Sequence, residues 1–282
     1  MKKLFAWVII LTVLMGCEIT PTATKPASRW LSIDNFEADT ALQNWTLFDA
    51  QNETDPFIAN PQISQIRKED RIDNNYMLRK PAADGIIGNR KALAWKSLPE
   101  PVAVGQTATF YTRINVESFP NNHSLGISNQ PADQIGILAY DAFEPMIRIT
   151  DKAESNGLKN DGTLMVLIGQ KKYSKINNPD TGLPASPLTP NQWYELWYVI
   201  DNSIRDDGGQ TYTLYVRGGE FTQQTLAYEN AQFRIGREEA LTTFITICNT
   251  GPKRNPYGNG GVRYDDIYMA HGENLNSPLN NN

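Results

Sequence analysis

Gly-Gly-Val-Arg-Tyr-Asp-Asp-Ile-Tyr-Met, residues 260–269, is a β-prone run with two adjacent aspartates at its centre. Strands disfavour Asp, because its short side chain competes for backbone hydrogen bonds. Successive side chains of a strand point to opposite faces, so one of Asp265 and Asp266 is directed inward, where it must be paired, hydrogen-bonded or metal-bound. A second acidic group, Asp34 and Glu37, lies near the start of the chain. We therefore expect the first and last strands to meet and close one β-sandwich.

The composition fits one large all-β domain. The chain has 282 residues, 40% hydrophobic and 20% charged, and its 20 Gly and 17 Pro are spread along it, as in proteins built of strands and turns. A net charge of −5 argues against a nucleic-acid partner, which needs a basic face. The two Cys and two His are far apart in the sequence and lack the ligand spacing of a Cys/His zinc site. We expect no organic cofactor and a monomer.

The N-terminus resembles an export signal. Lys2 and Lys3 precede an apolar run, residues 4–15, that is too short to span a bilayer comfortably, and Leu-Met-Gly-Cys at 14–17 resembles the bacterial lipobox. The resemblance implies a lipoprotein signal peptide over residues 1–16 and acylation of Cys17, including palmitate. The alternatives are an ordinary signal peptide and a membrane anchor that is never cleaved.

Beyond the lipobox, residues 17–29 are rich in Pro, Thr and Ala and predict a flexible tether. Glu18 after the cysteine favours the outer membrane, by resemblance to other such lipoproteins, with the protein facing the periplasm or the cell surface. The acyl chains would be its contact with the membrane. Lipidation of Cys17 leaves Cys248 without a partner. Because Cys248 ends a strong strand and has no basic neighbour in sequence, we expect a buried, inert thiol.

Apolar and polar residues alternate most clearly at 107–116. One parity is apolar and faces a core: Ala108, Phe110, Thr112, Ile114 and Val116. The other parity, which includes Tyr111 and Arg113, faces outward. Pro145–Ile149 repeats the pattern with Met146 and Arg148 outward. Similar runs, among them a short one at 135–139, predict about a dozen strands and no long helix. We expect a single domain over residues 30–278 and a disordered tail over 279–282.

Residues 193–219 read as a hairpin. The first run is Trp-Tyr-Glu-Leu-Trp-Tyr-Val-Ile-Asp, Asp206–Gly209 supplies the turn, and the return run is Thr-Tyr-Thr-Leu-Tyr-Val-Arg-Gly-Gly. This hairpin resembles the central hairpin of concanavalin A-like, or laminin-G-like, jelly rolls. The ending, residues 263–275, is similar to the closing strand of the same group in secreted bacterial proteins. Asp-Asn-Phe-Glu at 34–37, followed by Trp45, is similar to the start of many carbohydrate-binding jelly rolls.

The resemblance implies an all-β fold, an antiparallel two-sheet β-sandwich of the concanavalin A-like jelly-roll type. This fold hosts lectins, hydrolases, lyases and adhesive modules alike, so the function has to be argued from a site.

Outward parity assembles a surface rich in aromatic and arginine side chains. The predicted carbohydrate-binding residues are Tyr111, Arg113, Arg148, Trp193, Glu195, Trp197, Tyr215 and Arg217. Aromatic rings suit the apolar faces of sugars, and Arg suits carboxylate or sulfate groups. If these side chains line a concave sheet, we expect the ligand to be a polysaccharide or oligosaccharide, with an anionic glycan among the candidates. The alternative is that the aromatic residues are buried between the sheets and that Arg beside Glu195 is a solvated ion pair.

A structural calcium site is a second prediction. Asp34, Glu37, Asp265 and Asp266 offer hard oxygen ligands on two strands that the fold would bring together, and Ca²⁺ takes six to eight such ligands. The alternative is that these carboxylates cap turns or pair with Arg29 and Arg263.

The sequence lacks the motifs of jelly-roll enzymes. It has no Glu-x-Asp-x-x-Glu strand of the glucanases, and no Arg-x-Glu-x-Arg, Gln-x-His or Tyr-Lys-x-Gly-x-Tyr strand of the alginate lyases. His123 and His271 are expected to be solvated residues of loops. The sequence therefore favours an exported, lipid-anchored protein that binds glycan. A lyase or hydrolase with a divergent active site, and a structural or adhesive envelope lipoprotein, stay open as alternatives.

Overall fold

A computed structural model describes residues 29–38, 40–69, 73–153, 157–254 and 256–281. The strands, in chain order, are β1 (Leu31–Asp34), β2 (Thr46–Asn52), β3 (Ile63–Lys68), β4 (Asn75–Lys80), β5 (Arg90–Val102), β6 (Thr107–Val116), β7 (Asn122–Ser128), β8 (Phe143–Thr150), β9 (Leu164–Leu167), β10 (Tyr173–Lys175), β11 (Asn177–Asn178), β12 (Leu183–Pro184), β13 (Trp193–Asp201), β14 (Thr211–Gly218), β15 (Phe221–Gln232), β16 (Leu241–Thr250) and β17 (Val262–His271). The helical segments are α1 (Ala132–Leu138) and the 3₁₀ turns Ala41–Asn44, Ala139–Ala142, Arg205–Asp207 and Pro278–Asn281.

The strands form two large antiparallel sheets. In the front sheet the order is β15-β14-β13-β6-β17-β4-β3, and β1 also pairs with β17. In the back sheet the order is β10-β9-β8-β7-β16-β5-β2. Strands distant in sequence are neighbours in both sheets, as in a jelly roll. The predicted fold class, an antiparallel two-sheet β-sandwich, is confirmed.

The first and last strands meet, as the sequence predicted. In the pairing of β1 with β17, Leu31 lies opposite Met269 and Ser32 lies opposite Tyr268. On its other edge β17 pairs with β6. The run that begins at Gly260 therefore lies inside the front sheet, and its outward side chains become part of the broad outer surface of that sheet.

Alternating side chains of the two sheets fill one core. On the front sheet they come from the parity predicted for β6, β13 and β14, with Tyr194, Leu196, Tyr198, Ile200, Tyr212, Leu214 and Val216 pointing inward. On the back sheet Leu125, Ile127, Ile147 and Ile149 meet them. Each such burial stabilises the fold by about 1.5–3 kcal/mol. Because a one-residue slip would turn this whole set outward, the core fixes which residues face solvent.

The outer surface of the back sheet is covered by α1 and the 3₁₀ turn that follows it. Ile135 and Ala142 pack there against Leu93, Trp95 and Ile247. The strand predicted at 135–139 is therefore wrong. Ile135 is buried while Ile137 is 75% exposed, although a half-buried strand would place both on one face. Gly136 lets this helix approach the back sheet, because a Cβ there would lie 2.7 Å from the Phe48 ring.

Several sequence predictions concern the chain ends. The predicted signal peptide and lipidated Cys17 lie outside the described residues, as does nearly all of the predicted tether. Pro278–Asn281 forms a 3₁₀ turn where a disordered tail was predicted. No helix within the described ranges is long and apolar enough to cross a membrane. Cys248 is free and buried, which confirms the predicted burial, while the inertness of its thiol stays a prediction.

Candidate functional site

The candidate site lies on the outer surface of the front sheet, here called the front face. It is formed by outward side chains of β3, β4, β6, β13, β14 and β17, and it includes all predicted carbohydrate-binding residues except Arg148. Glu195 lies opposite Arg113 on one side and Arg217 on the other, and Trp197 lies in the same way between Tyr111 and Tyr215. Two rows of predicted residues are thus brought together by strand register.

A bulge in β17 places both aspartates on the front face. Tyr264 and Ile267 both point into the core although they are three positions apart, and the register with β6 shifts between Asp265 and Tyr268. Asp266 takes φ 50°, a left-handed conformation that Asp tolerates better than most residues. The expectation that Asp265 and Asp266 would point to opposite faces is therefore wrong, because the extra residue of the bulge interrupts the alternation.

Arg113 lies between these two carboxylates. Its Nη2 is 2.5 Å from Asp265 Oδ2, and its Nε is 2.6 Å from Asp266 Oδ2. Asn74 Nδ2 also donates to Asp265 Oδ2 over 2.9 Å, and the Asp266 N–H donates to Asp265 Oδ1. Burial, together with the charge of Asp266, raises the pKa of Asp265 to about 7. The cluster holds Arg113 in place and neutralises its charge.

The structure does not bring the predicted calcium ligands together. Asp34 accepts hydrogen bonds from Trp45 Nε1 and the Phe36 N–H and pairs with Lys96, while Glu37 accepts from Asn75. Asp265 and Asp266 are held by Arg113. Within the described ranges no three His, Cys, Asp or Glu side chains form a group that could hold a metal ion. The positive charges that these carboxylates meet belong to Lys96 and Arg113.

Trp193 and Tyr76 form the open aromatic part of the front face. Their ring centroids are 6.0 Å apart with planes at 71°. The Arg113 guanidinium lies 4.9 Å from the centroid of the Trp193 ring, and Trp193 Nε1 donates to Glu69 Oε1 over 3.0 Å. Both rings are half-buried. They are therefore fixed in orientation while part of each ring remains accessible.

Glu195 and Arg217 form a bidentate ion pair next to these rings. Arg217 Nη2 lies 2.5 Å from Glu195 Oε1 and 2.7 Å from Oε2, and Arg217 Nε adds a third contact of 2.8 Å. The hydroxyl of Tyr111 donates to Glu195 Oε2 over 2.9 Å. The pair is half-exposed, so its remaining lone pairs and N–H groups can reach a ligand.

Trp197 and Tyr111 are covered by the two ends of the described chain. Trp197 is 1% exposed and donates through Nε1 to the carbonyl of Asn276, and the Tyr111 ring meets Trp197 at 5.0 Å and Trp30 at 6.2 Å. The sequence predicted that a sugar stacks on Trp197 and Tyr111. Because both rings are covered, such stacking is not possible in this arrangement. These two rings are the floor beneath Glu195 and Arg217.

Arg148 does not belong to the front face. It lies on β8 of the back sheet, where it is 3% exposed, donates to Asn122 Oδ1 and stacks on the Tyr173 ring at 4.4 Å. The parity predicted for it is right, because Ile147 and Ile149 point into the core. The sheet was misassigned, because alternation tells inside from outside but does not tell which of two sheets a strand joins.

Among the front-face residues that sequence reasoning missed are Glu69, Asn74, Tyr76 and Tyr268. Tyr76 and Tyr268 lie in predicted strands, but alternation alone does not assign them to the outer face. Beside Tyr76 the inward residue is Arg79 and the outward one is Leu78, the reverse of the usual pattern, and the bulge of β17 shifts the parity of Tyr268. Tyr268 lies 6.4 Å from the Tyr111 ring. Glu69 and Asn74 lie in a polar, turn-rich stretch with no periodic signal, and only the fold brings them to Trp193 and Asp265.

Neither histidine lies on the front face as a solvated catalytic group. His123 is on β7 and fully buried between the sheets, where its Nε2 contacts the carbonyl of Gly260 at 2.9 Å. Burial lowers its pKa to about 3. The expectation of a solvated loop residue is wrong for His123. His271, at the end of β17, pairs with Glu100 over 2.8 Å.

No family model matches the chain, and a search of curated proteins finds no match. Solved structures do match. A PL-14 alginate lyase from Aplysia kurodai is 9% identical with a TM-score of 0.51, over 88% of this chain and 100% of that one. Lectin I-B4 from Griffonia simplicifolia, in its metal-free form, is 9% identical with a TM-score of 0.45, over 87% and 100%. The carbohydrate recognition domain of Emp47p is 10% identical with a TM-score of 0.44, over 86% and 95%.

At such low identity, the match to the alginate lyase shows a shared fold. The predicted concanavalin A-like jelly roll is confirmed at the level of the fold. What this chain binds has to be argued from the front face itself.

Proposed function

We propose that this protein binds a carbohydrate on the front face, with the sugar chain lying over Trp193 and Tyr76 and beside the Glu195–Arg217 pair. The observation that carries the proposal is the pair of fixed, half-exposed rings next to hydrogen-bonding groups that are only partly used. Rings held in this way offer apolar area at low entropic cost, and the adjacent donors and acceptors can read hydroxyl groups.

The polar groups suit recognition better than catalysis. Glycoside hydrolysis needs two positioned carboxylates that reach the substrate, one acting as acid and the other as base or nucleophile. Asp265 has a raised pKa, but its side chain is 0% exposed, with Arg113, Asn74 and the Asp266 N–H as its partners. Glu195 is tied to Arg217 and Tyr111. We therefore favour binding over cleavage.

The fold match supports this proposal without identifying the ligand. The alginate lyase from Aplysia kurodai is an example of this fold in a protein that acts on a polysaccharide. An enzyme of the lyase or hydrolase type and an adhesive envelope protein are the alternatives, and the test below separates them.

The test is a glycan array followed by titration calorimetry with the full-length chain. We expect a saturable glycan ligand, and we expect Trp193→Ala to weaken it at least tenfold, about 1.4 kcal/mol, because the main stacking ring is lost. Phe57→Ala is the matched control, since it removes a 72% exposed ring outside the front face. It should leave the affinity unchanged.

Three outcomes would each contradict a part of the proposal: binding without cleavage, a glycan ligand, or the front face as its site. Depolymerisation of a bound glycan would favour the enzyme. Binding of no glycan, with an envelope protein as ligand, would favour the adhesive protein. Equal affinities for the wild type and Trp193→Ala, with both folded by circular dichroism, would move the site elsewhere.

For location, we propose an exported lipoprotein held at the outer membrane through acylated Cys17. The support is the lipobox-like Leu-Met-Gly-Cys at 14–17 and Glu18 after it. Mass spectrometry of the N-terminal peptide from membranes tests this directly. An unmodified Cys17 or an uncleaved residue 1–16 segment would contradict it.

A further inference from the structure

Arg113 and Arg217, the predicted sugar-binding arginines that lie on the front face, are already neutralised. Arg113 forms ion pairs with Asp265 and Asp266, and Arg217 forms a bidentate ion pair with Glu195. A carboxylate of a ligand would have to displace these partners, and it would be repelled by them on approach. If the front face recognises an anionic group, the recognition must come from other residues.

Arg67 and Arg263 flank Tyr76 on the front face. The Arg263 guanidinium lies 5.4 Å from the centroid of the Tyr76 ring. Arg67 lies directly opposite Tyr76 in the pairing of β3 with β4, so the two side chains share one face of the sheet. Arg67 is exposed, and Arg263 is half-buried. Two guanidinium groups thus lie on either side of the half-exposed Tyr76 ring.

Both guanidiniums retain unused donors. Arg263 Nη1 makes one long contact, 3.5 Å, to Asn115 Oδ1, while its Nε is buried without a hydrogen-bond partner. Arg67 Nη2 donates to Gln65 Oε1 over 2.7 Å. Across the part of the chain that the structure describes, neither guanidinium has a carboxylate within 4.0 Å, in contrast to Arg113 and Arg217.

We propose that Arg67, Tyr76 and Arg263 form a subsite for the anionic group of an acidic sugar, a carboxylate or a sulfate. This inference rests on the proposed function and names the class of glycan: a chain with negatively charged units. The sugar ring packs on Tyr76, and its oxyanion accepts hydrogen bonds from one or both guanidiniums, whose planar forks match a carboxylate or sulfate. Neighbouring units of the chain lie over Trp193.

The test compares sugars that differ only in charge. The probes are hexamers of galacturonate, glucuronate and mannuronate, each with its neutral hexose counterpart, and a 6-sulfated galactose hexamer. We expect at least one charged hexamer to bind the full-length chain at least tenfold more tightly than its neutral partner. Its affinity should fall as NaCl is raised from about 0.05 M to about 0.5 M, because salt screens exposed charges.

Two variants assign the effect to the subsite. Arg263→Gln and Arg67→Gln should each weaken the charged hexamer at least threefold and leave its neutral partner unchanged. Arg67 is exposed, so its variant should fold even if Arg263→Gln does not. Arg205→Gln, which removes an exposed guanidinium at the turn between β13 and β14, is the matched control and should change neither affinity.

The outcomes separate the two proposals. If neutral and charged hexamers bind equally and both arginine variants behave as the wild type, the acidic-sugar subsite is wrong while glycan binding stands. If no hexamer and no arrayed glycan binds, both proposals fail. The choice between the uronates and the sulfated hexamer decides which oxyanion the subsite takes.

Discussion

Arg113 is the residue around which the front face is arranged. It ties β6 to the bulge of β17 through Asp265 and Asp266, and it lies 4.9 Å from the centroid of the Trp193 ring on β13. A guanidinium can do both at once because its plane stacks while its edge donates. Trp193 is therefore oriented by a group that is itself fixed from two sides.

Two buried titratable groups give opposite pH dependences of stability. His123 has a pKa of about 3 in the folded state against 6.5 when unfolded, so the unfolded chain binds more protons between these values and stability falls as the pH drops below 6.5. Asp265 has a pKa of about 7 against 3.8 when unfolded, so stability falls as the pH rises from 3.8 to 7. Between pH 4 and 6.5 the two contributions oppose each other.

Removing one of these two groups should leave the pH dependence of stability that the other group causes. We expect His123→Gln to become more stable toward pH 4.5, relative to pH 6.5, than the wild type does, and Asp265→Asn to show the reverse. Each change in slope is at most about 1.4 kcal/mol per pH unit, the value for one proton. Urea unfolding at several pH values measures it. Wild-type slopes in both variants would contradict the burial of these two groups.

At the scale of single elements, the bulge of β17 explains why two aspartates can lie within a strand. It adds one residue between Tyr264 and Ile267, so Asp265 and Asp266 share the outer face, where Arg113 meets them. The sequence indicated that these aspartates needed partners. It could not predict the bulge, because a left-handed residue at Asp266 is visible only in the backbone.

The alternation of apolar and polar residues predicted which side chains of a single strand face the core, but it did not predict how strands are arranged in the two sheets. The inward and outward parities of β6, β13 and β14 were right, and so was the pairing of the first and last strands. The helix α1 was missed because its short apolar run fits either a strand or a buried helical turn. Arg148 was assigned to the wrong sheet because strand order is set by long-range pairing, which local patterns do not contain.

The C-terminal segment, residues 272–281, acts as a cover for one end of the front face. Asn276 accepts the indole hydrogen bond of Trp197, and Gln224 donates to the carbonyl of Leu275. We expect removal of residues 274–282 to expose Trp197, which should shift tryptophan emission to the red, increase quenching by acrylamide and lower the Tm.

A shorter truncation is the control for this prediction. Removing residues 279–282 leaves Asn276 in place, so Trp197 should stay protected. If both truncations give the same emission and the same quenching, the segment does not cover Trp197.

At the scale of the whole molecule, the two outer surfaces of the sandwich differ. The back sheet buries Leu93 and Trp95 under α1 and the following turn. The front sheet keeps Trp193 and Tyr76 half-exposed, with the ion pairs of Arg113 and Arg217 beside them. A covered surface stabilises the fold, whereas an exposed aromatic surface with fixed polar groups is typical of a binding site. This asymmetry supports the proposal that the ligand binds on the front face.

The most direct test uses fluorine NMR of the full-length chain labelled with 5-fluorotryptophan, with each resonance assigned by a Trp→Phe variant. The ligand is whichever charged or neutral hexamer binds most tightly. We predict that the Trp193 resonance shifts saturably during the titration while those of Trp45 and Trp95, in the core and on the back sheet, stay unchanged. A fixed Trp193 resonance at saturation, with a shift at Trp95 instead, would contradict binding at the front face.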